Sequence, residues 1–421
     1  MHAPASSPAP WDASRPATPQ GLKLILAIFA LAVGGFGIGT TEFAAMGLLP
    51  NISEGMDVSI PRAGWLISAY AMGVVVGAPL LAVISAKMPR KQLLIALMIA
   101  FAVGNFLSVL APTFPLLLAS RFIAGLPHGA YFGIAALVAA SMVDPLKQAR
   151  AISMVMLGLS VANVIGVPLS TWLGQTLDWR AAFVVVAALG VLTATLVTLF
   201  VPMQPTPPQA GLRSELSALR VPQVWLTLLI ATVGFGGTFA VYSYISETMT
   251  KVAGFGEGAM PLILALYGFG MVIGNIIGGR GADWNPMGML YIGIIVMIGV
   301  LIAFHFAAES KMTAIPGIFL VSIFTSCLFP AVQMRLMSFA TEGRSLASSL
   351  IHSAFNIANA LGAWLGGLVI AQGYGYEATP LVGAVLATLG LIVTFVADTL
   401  YRRSRAGASL PTPTKVIETI S

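Results

Sequence analysis

Charge is what this chain has little of. Only 9% of its 421 residues are Asp, Glu, Lys or Arg, against roughly 25% in a soluble domain. A surface so poor in charge cannot face water. That excludes a soluble globular fold and leaves lipid as the solvent for most of the chain. Cysteine is almost absent: Cys327 stands alone, so no intramolecular disulfide can form. The four histidines, His2, His128, His305 and His352, are scattered without metal-ligand spacing. There is no Walker loop, no nucleophile elbow and no pair of loop carboxylates. No enzyme, metal or cofactor is expected, and ATP-driven pumping by this chain alone is set aside.

Hydrophobic residues make up 57% of the chain. They are gathered into runs long enough to cross a bilayer as helices, for which about 20 apolar residues suffice. Twelve such runs are predicted, at 22–50, 62–85, 93–111, 114–140, 151–174, 179–202, 222–246, 259–279, 287–306, 312–334, 346–371 and 380–401. The first 21 residues, rich in Pro, Ala and Ser, read as a disordered tail. The run after them is too long for a signal-peptide core of about 7–15 residues, so a retained first span is expected.

Lys and Arg set the expected orientation. Sixteen fall on the side of the two termini and four, Arg62, Arg180, Lys251 and Lys311, on the other. By the positive-inside rule both termini are expected in the cytoplasm. The net charge of +6 therefore reads as a topological signal rather than a nucleic-acid surface.

The chain also repeats itself. The segment VANVIG at 161–166 is echoed by IANALG at 357–362, an offset of 196. The turn after span 2 (Ala86) and the turn after span 8 (Asp283) correspond at 197. The expected fold is an all-α membrane protein with twelve transmembrane helices in two pseudo-symmetric six-helix bundles. The expected domains are a cytoplasmic tail (1–21), an N-terminal bundle (22–202), a Pro-rich cytoplasmic linker (203–221) whose LRSELSALR portion can form a short surface helix, a C-terminal bundle (222–401) and a second tail (402–421). Repeats of this kind suit alternating access around a midplane site.

Two charges lie inside apolar runs: Glu42 in span 1 and Arg121 in span 4. Insertion scales charge at least ~2.5 kcal/mol for such a group, so it marks a pathway by default. Counting 1.5 Å per residue from the far boundary places Glu42 roughly 12 Å deep and Arg121 roughly 10 Å deep. Similar depth permits an interaction without establishing contact. Permanent hydrogen bonding of Glu42 to Thr40 or Thr41, and of Arg121 to backbone carbonyls, are the structural alternatives.

The segments TTEFAAMGLLPNI, RFIAGLPHGAYFG, GLSVANVIGVPLSTWLGQTLDWRAAF and SAFNIANALGAWLGG resemble the major facilitator superfamily, in its twelve-span drug/proton antiporter branch. Within that branch the chain is similar to bacterial sugar-efflux and arabinose-efflux-permease-like members. The resemblance covers about residues 22–403. It implies proton coupling through Arg121, which opens Arg-x-x-x-Gly with Gly125, and through a carboxylate such as Glu42. It identifies Gly158, Gly166, Pro168 and Gly174 with the branch's span-5 antiporter motif, although Val167 and Ser170 replace glycines of that motif. The turn after span 2 departs further: Ala82, Ala86 and Pro89 replace Gly, Asp and Gly, while Lys87, Arg90 and Lys91 remain. The missing acid takes part in the family's cytoplasmic charge latch. The second half keeps it as Asp283, with Arg280 nearby, so the latch is expected to rest there.

Substrate-contact candidates are His128 and Tyr131, on the face of Arg121, together with Asn163, Tyr242, Tyr244, Asn356 and Asn359 for a sugar. Phe36, Phe43 and Phe239 are the candidates for a lipophilic compound. Interhelical hydrogen bonding is the competing role for each polar residue, and Tyr242 and Tyr244 diverge on a helix. The expected function is proton-coupled export of a small organic solute across a bacterial inner membrane by a protein working as a monomer. A symporter or uncoupled facilitator of the same fold, and a non-transporting receptor or scaffold, are the alternatives. The expected partners are substrate, protons and lipid, with no nucleic acid.

Overall fold

The computed structural model describes residues 19–204, 211–340 and 343–408. Most of the tail expected at 1–21, the start of the linker and the end of the tail expected at 402–421 lie outside the described residues. All regular elements among the described residues are helical. Among the described residues, twelve helices are long and apolar enough to span a membrane: Leu22–Ala45, Trp65–Ile84, Arg90–Leu110, Phe114–Ser141, Pro145–Gly174, Trp179–Phe200, Pro222–Tyr242, Met260–Trp284, Pro286–Ala307, Lys311–Phe339, Arg344–Ala371 and Tyr376–Ser404. These are spans 1 to 12. Helices satisfy every backbone N–H and C=O within the segment, which hydrocarbon demands.

Proline accounts for two departures from continuous helix. The first apolar run breaks at Leu48, and a short helix, Leu49–Gly55, follows with Pro50 in its first turn. Proline lacks an N–H and suits a helix start. In span 5 the helix Gln148–Val161 widens into a π turn at Ala162–Gly166 before Val167–Thr176, which carries Pro168 in its first turn. Proline cannot donate to the turn before it and crowds the carbonyl four residues back, so a wide turn relieves both conflicts.

Lipid offers helices no hydrophobic reason to associate, so close packing of small residues must serve. Gly125 on span 4 lies directly against the Tyr70 carbonyl of span 2, and Gly158 on span 5 against the Ala32 carbonyl of span 1; a side chain at either would overlap backbone. Gly166 faces Thr40 and Phe36, and Gly174 faces Leu48, so the span-5 glycines all look onto span 1 or its end. Large side chains such as Ile84, Trp172, Leu199, Phe306 and Phe395 are left on the outside.

Each half has its own core, one built around Phe101, Phe132 and Tyr131 and the other around Phe235, Phe304 and Tyr267. The halves meet where span 5 crosses span 8 and where span 11 crosses spans 2 and 4. At the end that carries the linker, Ser348 Oγ donates to the Gly133 carbonyl (2.9 Å), and Arg150 Nε donates to Asp283 Oδ2 (3.0 Å). Nearer the middle, Asn275 Nδ2 donates to Ser160 Oγ (3.0 Å) and Ser353 Oγ to the Val75 carbonyl (3.2 Å). That end of the molecule is closed.

Gly125→Val is expected to force spans 2 and 4 apart, at about 1–3 kcal/mol or more. Thermal unfolding in detergent should show a clearly lower midpoint. Gly299→Val, where nothing lies within 4 Å of the added carbon, should leave it unchanged.

Candidate functional site

The sequence Thr40-Thr41-Glu42 turns three polar groups in three directions, because successive helical residues are about 100° apart. Thr40 Oγ1 bonds back to the Phe36 carbonyl (2.7 Å) within span 1. Thr41 Oγ1 donates to Asn105 Oδ1 on span 3 (2.7 Å). Glu42 faces the space between the two halves.

Arg121 on span 4 is fully buried. A guanidinium in such a place needs several acceptors, and its fork finds them on two neighbouring spans. Nη1 donates to Thr41 Oγ1 (2.9 Å) and Asn105 Oδ1 (3.3 Å), and Nη2 to the Thr41 carbonyl (3.1 Å). The guanidinium carbon lies 4.6 Å from the Tyr70 ring centre and 5.2 Å from that of Phe183, where ring faces favour a cation. Nε has no partner. Among the described residues Arg121 forms no ion pair. It grips the residue next to Glu42, not Glu42 itself.

Glu42 makes no hydrogen bond or ion pair among the described residues and lines a central cavity of about 60 Å³. One water needs about 10–15 Å³ by this measure, so the space suits several. The first half contributes Glu42, Phe43, His128, Phe132, Met156 and Leu159; the second contributes Phe239, Met271, Asn275, Phe329, His352, Phe355, Asn356 and Asn359. The two histidines meet across the seam with ring centres 5.8 Å apart. His128 Nδ1 is 3.1 Å from the Tyr70 hydroxyl, and His352 stacks on Phe132 at 4.8 Å. Above the cavity, Phe43 meets Tyr242 edge-on at 5.8 Å, and the Tyr242 hydroxyl donates to Asn163 Oδ1 (3.2 Å). A carboxylate, two imidazoles, three amides and five phenylalanines thus share one chamber that both halves build.

A profile of the Major Facilitator Superfamily matches residues 31–342. The chain belongs to that superfamily. It is 42% identical over 375 residues to the inner membrane transport protein YdhP of Escherichia coli O157:H7, covering 89% of this chain and 96% of that one. It is 31% identical over 374 residues to a probable sugar efflux transporter of Helicobacter acinonychis, covering 88% and 94%. Its fold is that of the E. coli fucose:proton symporter FucP, with a TM-score of 0.72 over 89% of this chain and 99% of that one, at 16% identity. It is a multi-pass major facilitator transporter with efflux-type relatives, not an enzyme.

Within this major facilitator fold the residues singled out from sequence separate by place. Glu42, Phe43, His128, Phe239, Asn356 and Asn359 line the cavity. Tyr242 and Asn163 join the halves beside it. Tyr131 does not reach the cavity: its hydroxyl donates to the Leu31 carbonyl (2.8 Å) and ties span 4 to span 1. The face it shares with Arg121 looks into the first bundle, and only His128 reaches the chamber. Tyr244 bonds the Ala363 carbonyl (2.8 Å) within the second half, and Phe36 packs against Gly166. Lys87 and Arg280 are exposed, and Lys91 Nζ donates to the Thr198 carbonyl (2.8 Å). Asp283 pairs with Arg150 rather than Arg280. Sequence reasoning missed His352, Asn275 and the Phe132, Phe329 and Phe355 rings, as well as the Thr41 and Asn105 acceptors. Asn105, Asn275 and His352, each polar within an apolar run, carried the available signal.

Asn105→Leu removes an acceptor from both Thr41 and Arg121. A buried charged donor left short of partners costs about 1–3 kcal/mol or more, so a lower thermal midpoint is expected. Asn105→Asp keeps the acceptor for Thr41 and Arg121 but loses the donor to the Phe101 carbonyl (2.9 Å), so its midpoint should fall less than that of Asn105→Leu.

Proposed function

We propose that this protein is a proton-coupled antiporter that exports a small organic solute from the cytoplasm across the bacterial inner membrane. The observation that carries this reading is Glu42: a carboxylate without a hydrogen-bond or ion-pair partner among the described residues, lining a chamber built by both halves. Sixteen of the Lys and Arg residues on the side of the termini support a cytoplasmic location for that side. The closed linker end is then the cytoplasmic gate. The chamber is complete within one chain, which supports a monomeric transporter.

In this reading Glu42 takes a proton from the outer side, and a substrate arriving from the cytoplasm competes for the same carboxylate oxygens. Arg121, anchored through Thr41 and Asn105, fixes a positive charge beside the exchange site. Proton and substrate drive the cycle only through unequal affinity for the two states. One pH unit contributes about 1.4 kcal/mol per proton. The amides, histidines and Tyr242 favour solutes with hydroxyl groups, and the phenylalanines favour an apolar body. The names of the sugar-efflux relatives support the first of these.

Everted membrane vesicles with an imposed pH gradient and a fluorescent pH dye test the proposal. Sugars, nucleosides, phenicol-type antibiotics and lipophilic cations would be added in turn. A compound that dissipates the gradient in wild-type vesicles should do so at least tenfold more slowly with Glu42→Gln. Undiminished coupled transport in that variant would remove Glu42 from the mechanism.

A further inference from the structure

The duplication makes a quantitative demand on the closed end. Asp283, in the last turn of span 8, faces the first half, and its side chain is only 4% exposed. Its Oδ1 accepts from the Ala149 backbone N–H (2.8 Å) in the first turn of span 5, and its Oδ2 accepts from Arg150 Nε (3.0 Å). A carboxylate there satisfies an orphan N–H and complements the positive end of the helix dipole. The offset of 197 between the turns carries Asp283 to Ala86 (283 − 197), and the offset of 196 between spans 5 and 11 carries Arg150, whose N–H also reaches Asp283 Oδ1 (3.4 Å), to Leu346 (150 + 196). The duplicated joint should therefore run from residue 86 to the Leu346 N–H, at the start of span 11. Alanine has no acceptor to offer.

The Leu346 N–H is nevertheless capped. It donates to Glu215 Oε2 at 2.8 Å. Glu215 lies on the short linker helix Leu212–Ser217, which belongs to neither half, yet it is only 8% exposed. Ser345 also bonds it, through both backbone and side chain, and the Arg90 charge acts on it. Burial pushes the Glu215 carboxyl above the usual carboxylate range, against the pull of those bonds and of Arg90. The linker is seated closely: Gly343, at φ 70°, packs on the Glu215 carbonyl and on Ala218. Ala86, Arg90, Glu215 and Ser345 surround one small cavity of about 10 Å³. The carboxylate thus reaches the place that a side chain at position 86 would face.

We propose that Glu215 replaces the acid missing at position 86, so that the linker, rather than the turn after span 2, latches span 11 at the closed end. Glu215 is a positioning residue. It holds the first turn of span 11 against spans 2 and 4, while Asp283 does the same for span 5 from the opposite half. The two halves are closed by symmetric joints with asymmetric donors of the carboxylate. One is carried by the bundle's own helix end, and the other by the segment that connects the two halves. The proposal rests on reading the chain as an alternating-access carrier, but the latch itself is testable without substrate.

Backbone hydrogen exchange by mass spectrometry on the purified full-length chain in detergent reads both joints together. With Glu215→Gln, exchange in the first turn of span 11 should quicken at least tenfold. The first turn of span 5, capped by Asp283, should change by less than twofold and serves as an internal control. Adding Ala86→Asp to Glu215→Gln should restore protection to within twofold of wild type. Unchanged exchange in Glu215→Gln, or a folded double variant that stays unprotected, would overturn the proposal. If Glu215→Ala does not yield folded protein, its combination with Ala86→Asp decides: recovery supports the latch and continued failure refutes it. Loss of proton coupling in Glu42→Gln has no bearing on these readouts, so the two proposals fail separately.

Discussion

Hydrocarbon on the outside turns the usual logic of a protein interior around. Apolar side chains gain nothing by turning inward, so the twelve helices hold together by close contact and by the polar groups they must hide. The glycine contacts of Gly125 and Gly158 bring backbones together where a methyl group would not fit. Asn105, Thr41 and Arg121 form the corresponding polar joint, in which each group answers another's need for a partner. The same constraint leaves few places for an ionisable group without a partner. One of these, Glu42, is in the chamber between the halves.

The two halves share a fold but divide the work. The first supplies the fixed charge and the carboxylate, along with His128. The second supplies the amides Asn275, Asn356 and Asn359 and several of the aromatic walls. The seam between them is held by a few separate polar joints rather than a broad polar surface, among them Ser348 to Gly133, Asn275 to Ser160, and Asp283 to Ala149 and Arg150. Separate contacts are what a seam needs if it is to open. His128 and His352 meet on that seam, one from each side.

The spans were legible because twenty-residue apolar runs have few other uses. Glu42 and Arg121 stood out as charges in unusual places, and Asp283 through its match to the family's turn motif. The partners were harder to read. Thr41 and Asn105 are separated by 64 residues, and nothing local says that they meet. The helical period places Tyr131 and Arg121 on related faces, but not which neighbour those faces meet; Tyr131 turns to Leu31 in the first bundle. His352 was a lone histidine on a helix until Phe132 was seen stacked against it. Glu215 reads as an ordinary charge on a short surface helix. Its burial depends on where a linker folds back, which composition does not encode.

The π turn of span 5 holds one residue more than an ordinary turn of α-helix. In an unbroken α-helix an extra residue rotates everything beyond it by about 100°. A single wide turn takes up the extra residue and leaves the rest of the helix in phase. Span 11 is continuous from Arg344 to Ala371, while span 5 widens at Ala162–Gly166. Beyond that turn Gly166 still looks onto Thr40 and Gly174 onto Leu48. The wide turn lets span 5 pass Pro168 without turning its later glycines away from span 1.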